Sequence, residues 1–196
     1  MMNDKNKFAV IDTETTWGDE VMSIGIVIAD SRSFAPLDRR YYILTPQKNH
    51  GGMYSYALYA GGAVPDMECS RDAVIEDVKK LLTLHEVTAI FAYNANFDYG
   101  HLPELSYLEW YDIMKMAAYR QYNSKIPHTA DCFKTGRLKR GYSVDSIYKM
   151  LSGKSVYREL HNALTDTLEE LEIMKMLGHE IEKYEFTRIK KAVTCA

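Results

Sequence analysis

The stretch that most constrains this chain lies at residues 8–18, FAVIDTETTWG. The apolar run Phe8-Ala9-Val10-Ile11 leads straight into Asp12 and Glu14, and no lysine or arginine stands between Phe8 and Gly18. Such a run reads as a strand destined for an interior. If strand geometry persists to Glu14, both carboxylates point to one face, about 6.5–7 Å apart. That spacing suits two acids bracketing a hard divalent cation, because Mg²⁺ and Mn²⁺ prefer oxygen ligands. The same two acids also suit the start of a solvated turn.

Four stretches read as strands: 8–12, 21–29, 40–45 and 87–93, each rich in Val, Ile, Tyr or Phe. Short connections join the first three, which predicts an antiparallel meander. A helix with Val74, Ile75, Val78, Leu81 and Leu82 on one stripe precedes the fourth. That strand–helix–strand path favours a parallel pairing. Helices dominate the second half. Ser143 reads as an N-cap ahead of Val144, Ile147, Tyr148 and Leu151, with Gly153 past the end. A last helix carries Leu164, Leu168, Leu171, Met174 and Leu177, and Gly178 stops it. The expectation is an α/β domain with a mixed sheet flanked by helices, one domain over 1–196 with its motif core at about 8–178.

At 196 residues the chain can bury a real core, and its net charge of −3 argues against binding nucleic acid through bulk positive charge. An anionic partner must be held by local groups or by metal ions. Cys69, Cys132 and Cys195 are far apart and form no CxxC pair, which favours a reducing cytoplasm. The opening MMNDKNK lacks a signal-peptide core, and no apolar run is long enough for a membrane.

Two further segments carry acids. After the fourth strand comes NANFD, where Asp98 falls at the carboxyl edge of the sheet, the edge at which open α/β sheets build sites. Asn94 also suits a helix N-cap, and Asp98 a first-turn acid favoured by the helix dipole. In HNALTD, Asp166 lies off the leucine stripe, so core packing does not explain it. His161 and Asp166 are about 140° apart on an ideal helix, so they converge only if His161 comes from the preceding loop. Four carboxylates meeting at one edge, Asp12, Glu14, Asp98 and Asp166, would repel strongly unless cations lie between them. Two Mg²⁺ ions would balance the four charges and suit phosphoryl displacement, with His161 beside them as a general base.

DTETT, NANFD and HNALTD, in this order, resemble the three motifs of the DEDDh (DnaQ-like) 3′–5′ exonucleases, a group with a ribonuclease H-like fold. The resemblance spans about Phe8 to Leu177. It implies Asp12, Glu14, Asp98 and Asp166 as ligands of two divalent cations, Mg²⁺ or Mn²⁺. It implies His161 as the general base, and Thr13, Thr15, Thr16 and Asn94 as contacts to the terminal nucleotide. The chain departs from the pattern at Trp17, inserted before Gly18, and at Tyr93 before Asn94. Neither removes a ligand. Trp17 suits stacking on a terminal base or packing against the strand turn.

The implied activity is release of nucleoside 5′-monophosphates from the 3′ end of single-stranded DNA or RNA. Homodimer and polymerase association are both compatible with it. Two rivals stand beside it, a non-catalytic nucleic-acid-binding module on the same fold and a metal-dependent hydrolase of small phosphate esters. Two segments fall outside the motifs. Tyr54, Tyr56 and Tyr59, in a glycine-bracketed stretch, suit base stacking or packing on the body. Arg137, Lys139 and Arg140 suit a phosphate backbone or a solvated face.

Overall fold

The computed structural model describes residues 7–189; the opening residues 1–6 and Cys195 lie outside the described residues. In chain order the elements are β1 (Lys7–Thr15), β2 (Val21–Asp30), β3 (Pro36–Leu44), β4 (Met67–Cys69), α1 (Arg71–Leu84), β5 (Ala89–Ala92), α2 (Asn96–His101), β6 (Glu109–Asp112), α3 (Met114–Ala117), α4 (Val144–Ser152) and α5 (Ala163–Leu177). The strands form one six-stranded sheet in the order β4-β3-β2-β1-β5-β6. β1, β2 and β3 are the antiparallel meander their short connections predict. β5 runs parallel to β1, and β4 and β6 add parallel edges.

The pleat sends alternate residues of β1 to opposite faces. Ala9 and Ile11 join the core beneath α1, where Val74, Ile75, Val78, Leu81 and Leu82 are all buried. Phe8 and Val10 join the second core, closed by α3, α4 and α5. α4 begins and ends at its caps: the Ser143 hydroxyl accepts the Ser146 N–H, and Gly153 takes the left-handed conformation, φ +71°.

Three details differ from the sequence reading. β3 starts earlier, at Pro36, because its charged first half still pairs with β2. β4 and β6 carry too few residues, and too many charged ones, to show a period-2 pattern. The buried face of α5 is Ala163, Asp166, Thr167, Glu170, Leu171, Ile173 and Met174, whereas Leu164 and Leu168 are half-buried. The face of α5 turned inward is therefore partly polar, and it lies over the end of β1. Among the described residues no helix is long and apolar enough to cross a membrane.

Candidate active site

β1 keeps its strand geometry through Glu14, so Asp12 and Glu14 continue the Phe8–Val10 face toward α5. Asp12 pairs with Gly25 and Glu14 with Ser23 of β2. Gly25 is what lets α5 come so close. A Cβ there would overlap the Ala163 carbonyl and fall 2.5 Å from the Leu164 nitrogen. The start of α5 thus rests on the β2 backbone, directly beside the acid pair.

The approach to α5 is fixed by Asn162. Its Oδ1 accepts the Thr165 N–H at 3.3 Å, capping the helix. Its Nδ2 donates to Tyr41 Oη at 3.1 Å and to the Ala57 carbonyl at 3.0 Å, which anchors the tyrosine-rich 50–62 stretch to the same point. His161 stands one residue earlier with φ +56°, a left-handed conformation. Asp166 occupies the first turn and is 4% exposed. Glu14, His161 and Asp166 each offer a ligand atom, and these atoms lie within 4.8 Å of one another. Tyr54 lies flat on the His161 ring, with centroids 3.8 Å apart and planes 14° apart.

Asp98 arrives from α2 and is 2% exposed. Its Oδ1 accepts from the Thr13 N–H at 3.1 Å and the Thr13 hydroxyl at 2.8 Å, so the residue between the β1 acids holds the third acid in place. Asn94 does not cap α2; it sits at φ +60°, a conformation asparagine tolerates, and its N–H donates to Asp112 Oδ1 at 3.1 Å. Thr16 Oγ1 accepts the Gly18 and Glu20 N–H groups, both at 3.2 Å, closing the turn after β1. Trp17 projects from that turn, 71% exposed, and its backbone N–H donates to the Gly51 carbonyl. Thr13, Thr15, Thr16, Trp17 and Asn94 all border one cleft of about 890 Å³, together with Asp12, Glu14, Asp98, His161 and Asp166. Of the three loop tyrosines only Tyr54 lines it; Tyr59 instead donates to Glu68 at 2.7 Å.

The electrostatics are one-sided. Burial, then Glu170, Asp98, Asp166 and Glu14, push Asp12 well above the usual carboxylate range. Burial and Glu159 raise Glu14 to about 8, and burial, Glu159 and Glu14 raise Asp166 to about 9. Burial raises Asp98 to about 7, held back by its bonds from Thr13. Asp12 Oδ2 and Asp166 Oδ1 are out of solvent with no hydrogen-bond partner. Among the described residues no ion pair includes any of these four acids. Orphaned carboxylate oxygens, uncompensated charge and an all-oxygen donor set beside one imidazole fit hard divalent cations. His161 is shifted the other way: burial and the Arg158 charge lower it, favouring the neutral ring.

Two acids escaped the sequence reading. Glu170, 2% exposed, lies one helical turn beyond Asp166, and its Oε2 accepts the Tyr93 N–H at 3.1 Å. Glu159 lines the cleft two residues before His161, and burial raises it to about 7. An i, i+4 acid pair on the inward face of α5 is the signal that could have found Glu170.

The family model RNase_T, described as Exonuclease, matches residues 9–174. The chain belongs to this exonuclease family. Solved structures share the fold of this chain. The nuclease domain of 3′hExo, a DEDDh family member bound to rAMP, is 15% identical over 97% of this chain and 99% of that one, with a TM-score of 0.65. Exonuclease X in complex with 5′ overhanging duplex DNA is 23% identical over 92% of this chain and 98% of that one, at 0.54. The zinc-bound E. coli ExoI–ssDNA complex is 12% identical over 92% of this chain and 42% of that one, at 0.59. No curated protein sequence matches the chain. The chain therefore has the ribonuclease H-like sheet of these neighbours, and its family implies divalent-metal dependence.

Proposed function

We propose that the protein is a metal-dependent 3′–5′ exonuclease that removes nucleoside 5′-monophosphates from the 3′ end of single-stranded DNA or RNA. The observation that carries this reading is the meeting of Asp12, Glu14, Asp98, Asp166 and His161 in one cleft, with orphaned carboxylate oxygens and, among the described residues, no ion pair to any of the four acids. Asp12, Glu14, Asp98 and Asp166 would hold two Mg²⁺ or Mn²⁺ ions, which when bound polarise the phosphate and acidify water.

The chain's own residues supply the rest. A neutral His161 takes the proton of the attacking water on an imidazole nitrogen, and its lowered pKa keeps it competent at pH 7. The new bond joins that water oxygen to phosphorus; the bond to the 3′ oxygen of the preceding nucleotide breaks, and that oxygen is protonated. Thr13 fixes Asp98, and the turn at Thr15, Thr16 and Trp17 with Asn94 borders the space for the terminal nucleotide, where Trp17 offers a ring for stacking. The ligands of the neighbours, rAMP in one case and DNA in others, agree with such a substrate. Cys69 and Cys132 are free thiols, in keeping with a reducing cytoplasm.

The test is purified protein with 5′-labelled DNA and RNA, single- and double-stranded, in Mg²⁺ and in Mn²⁺. Stepwise shortening from the 3′ end is expected, and Asp12→Ala should abolish it while the protein still melts cooperatively. Full activity in that variant would overturn the assignment.

A further inference from the structure

The cleft has an acidic floor, yet the proposed substrate is a polyanion. Among the described residues that line it, Arg137 is the single lysine or arginine. It sits in the irregular hairpin between α3 and α4, tied by bridges Tyr119–Arg137 and Cys132–Leu138. The Phe133 N–H donates to the Arg137 carbonyl at 2.8 Å, so the backbone at this point is fixed.

Its side chain is held from two sides. The guanidinium carbon lies 5.5 Å from the Phe133 ring centre and 5.0 Å from that of Tyr142. Tyr142 is in turn fixed, because its carbonyl accepts the Tyr93 hydroxyl. No carboxylate pairs with Arg137 among the described residues, and its Nε is out of solvent without a partner. Lys139, two residues on, is satisfied by Asp131 at 2.9 Å. Leaving a desolvated donor unpaired costs about 1–3 kcal/mol. The rings stabilise the cation without supplying a hydrogen-bond acceptor, so its guanidinium N–H groups still lack the oxygens that a phosphate would offer.

The cleft, about 890 Å³, approaches the upper end of the roughly 300–1,000 Å³ of ligand pockets and has room beyond a single nucleotide. The four acids come from β1, α2 and α5, whereas Arg137 comes from the hairpin leading into α4. We propose that Arg137 receives a backbone phosphate of the strand upstream of the scissile phosphodiester. This rests on the exonuclease reading and specifies its substrate as a polynucleotide rather than a small ester.

The experiment compares wild type, Arg137→Ala and Arg137→Lys in two assays. In Ca²⁺, binding of a short 5′-labelled oligonucleotide is measured against salt. In Mg²⁺ or Mn²⁺, hydrolysis of that oligonucleotide is measured beside hydrolysis of the p-nitrophenyl ester of thymidine 5′-monophosphate, which carries only the reacting phosphate. Arg137→Ala should weaken oligonucleotide binding by about tenfold and reduce the log–log salt slope by about 0.7, one phosphate contact on a single strand. Its loss of kcat/KM should be about tenfold larger on the oligonucleotide than on the ester. Arg137→Lys should recover the slope and only part of the affinity, since a point charge replaces the fork. Equal losses on both substrates, or an unaltered salt slope, would overturn the assignment while leaving the exonuclease reading intact. Wild-type protein that neither binds nor shortens the oligonucleotide would overturn both.

Discussion

His161 has little freedom. Its backbone is left-handed, the next residue caps α5, and Tyr54 covers one face of its ring at 3.8 Å. A stacked pair of this kind is worth about 0.5–1.5 kcal/mol, enough to select one ring orientation out of several. A general base contributes about 10²–10⁴-fold, and a displacement on the order of 1 Å forfeits much of that. Tyr54→Ala should therefore lower kcat by about 10–100-fold with KM within about twofold. Tyr54→Phe, which keeps the ring and loses only the hydroxyl, should stay close to wild type. If Tyr54→Ala raised KM instead and spared kcat, the ring would be serving the substrate and not the histidine. Because burial and Arg158 lower His161, the acid limb of the kcat profile should have its midpoint below 6.5. The sequence made His161 visible through its spacing to Asp166, but Tyr54 was one of three equivalent tyrosines. What distinguishes it is a contact across 107 residues that no local pattern encodes.

Elements were legible where periodicity and caps agreed. β1, β2, α1 and α4 follow their apolar patterns, and Ser143 and Gly153 bound α4 as their side chains require. The short edges β4 and β6 were not, because Glu68, Glu109 and Asp112 interrupt any alternation. α5 was legible as a helix but not in its orientation: its leucines suggested one face, and the face against the sheet carries Asp166, Thr167 and Glu170. The reason lies on another element. Gly25 of β2 admits the α5 backbone at Ala163 and Leu164 so closely that the first turn of α5, with Asp166, is seated on the β2 backbone. Gly25→Val would force α5 off the sheet, and overpacking of this kind costs about 1–3 kcal/mol. Urea melts should show that loss, together with activity reduced by more than the melt alone explains, since His161 and Asp166 travel with α5. Unchanged stability would mean that α5 is not seated on β2 at this point.

At the scale of the molecule, a net charge of −3 conceals a strong local imbalance. Asp12, Glu14, Asp98, Asp166 and Glu170 are all raised, chiefly by burial, and all but Asp98 also by neighbouring acids, Glu159 among them. An acid whose pKa is higher in the folded state binds more protons folded than unfolded, so stability falls as pH rises from the unfolded pKa through the folded one. With Asp98 at about 7, Glu14 at about 8 and Asp166 at about 9, the window runs from about 4 to about 9. Metal-free protein in EDTA should therefore melt at progressively lower temperature from about pH 5 to about pH 9. Mg²⁺ or Mn²⁺ binds the folded state and should restore the melting temperature most at the alkaline end, and little near pH 5, where protons compete for the same oxygens. Glu170 separates charge from ligation. Glu170→Gln retains an acceptor for the Tyr93 N–H but cannot ionise, so it should raise the metal-free melting temperature at alkaline pH, by about 2–4 °C per kcal/mol relieved. Glu170→Ala should lower it, because the Tyr93 N–H is then left unpaired. A metal-free melting temperature that rises steadily between about pH 5 and 9, or a Glu170→Gln variant less stable than wild type at alkaline pH, would mean that these carboxylates do not share one buried field.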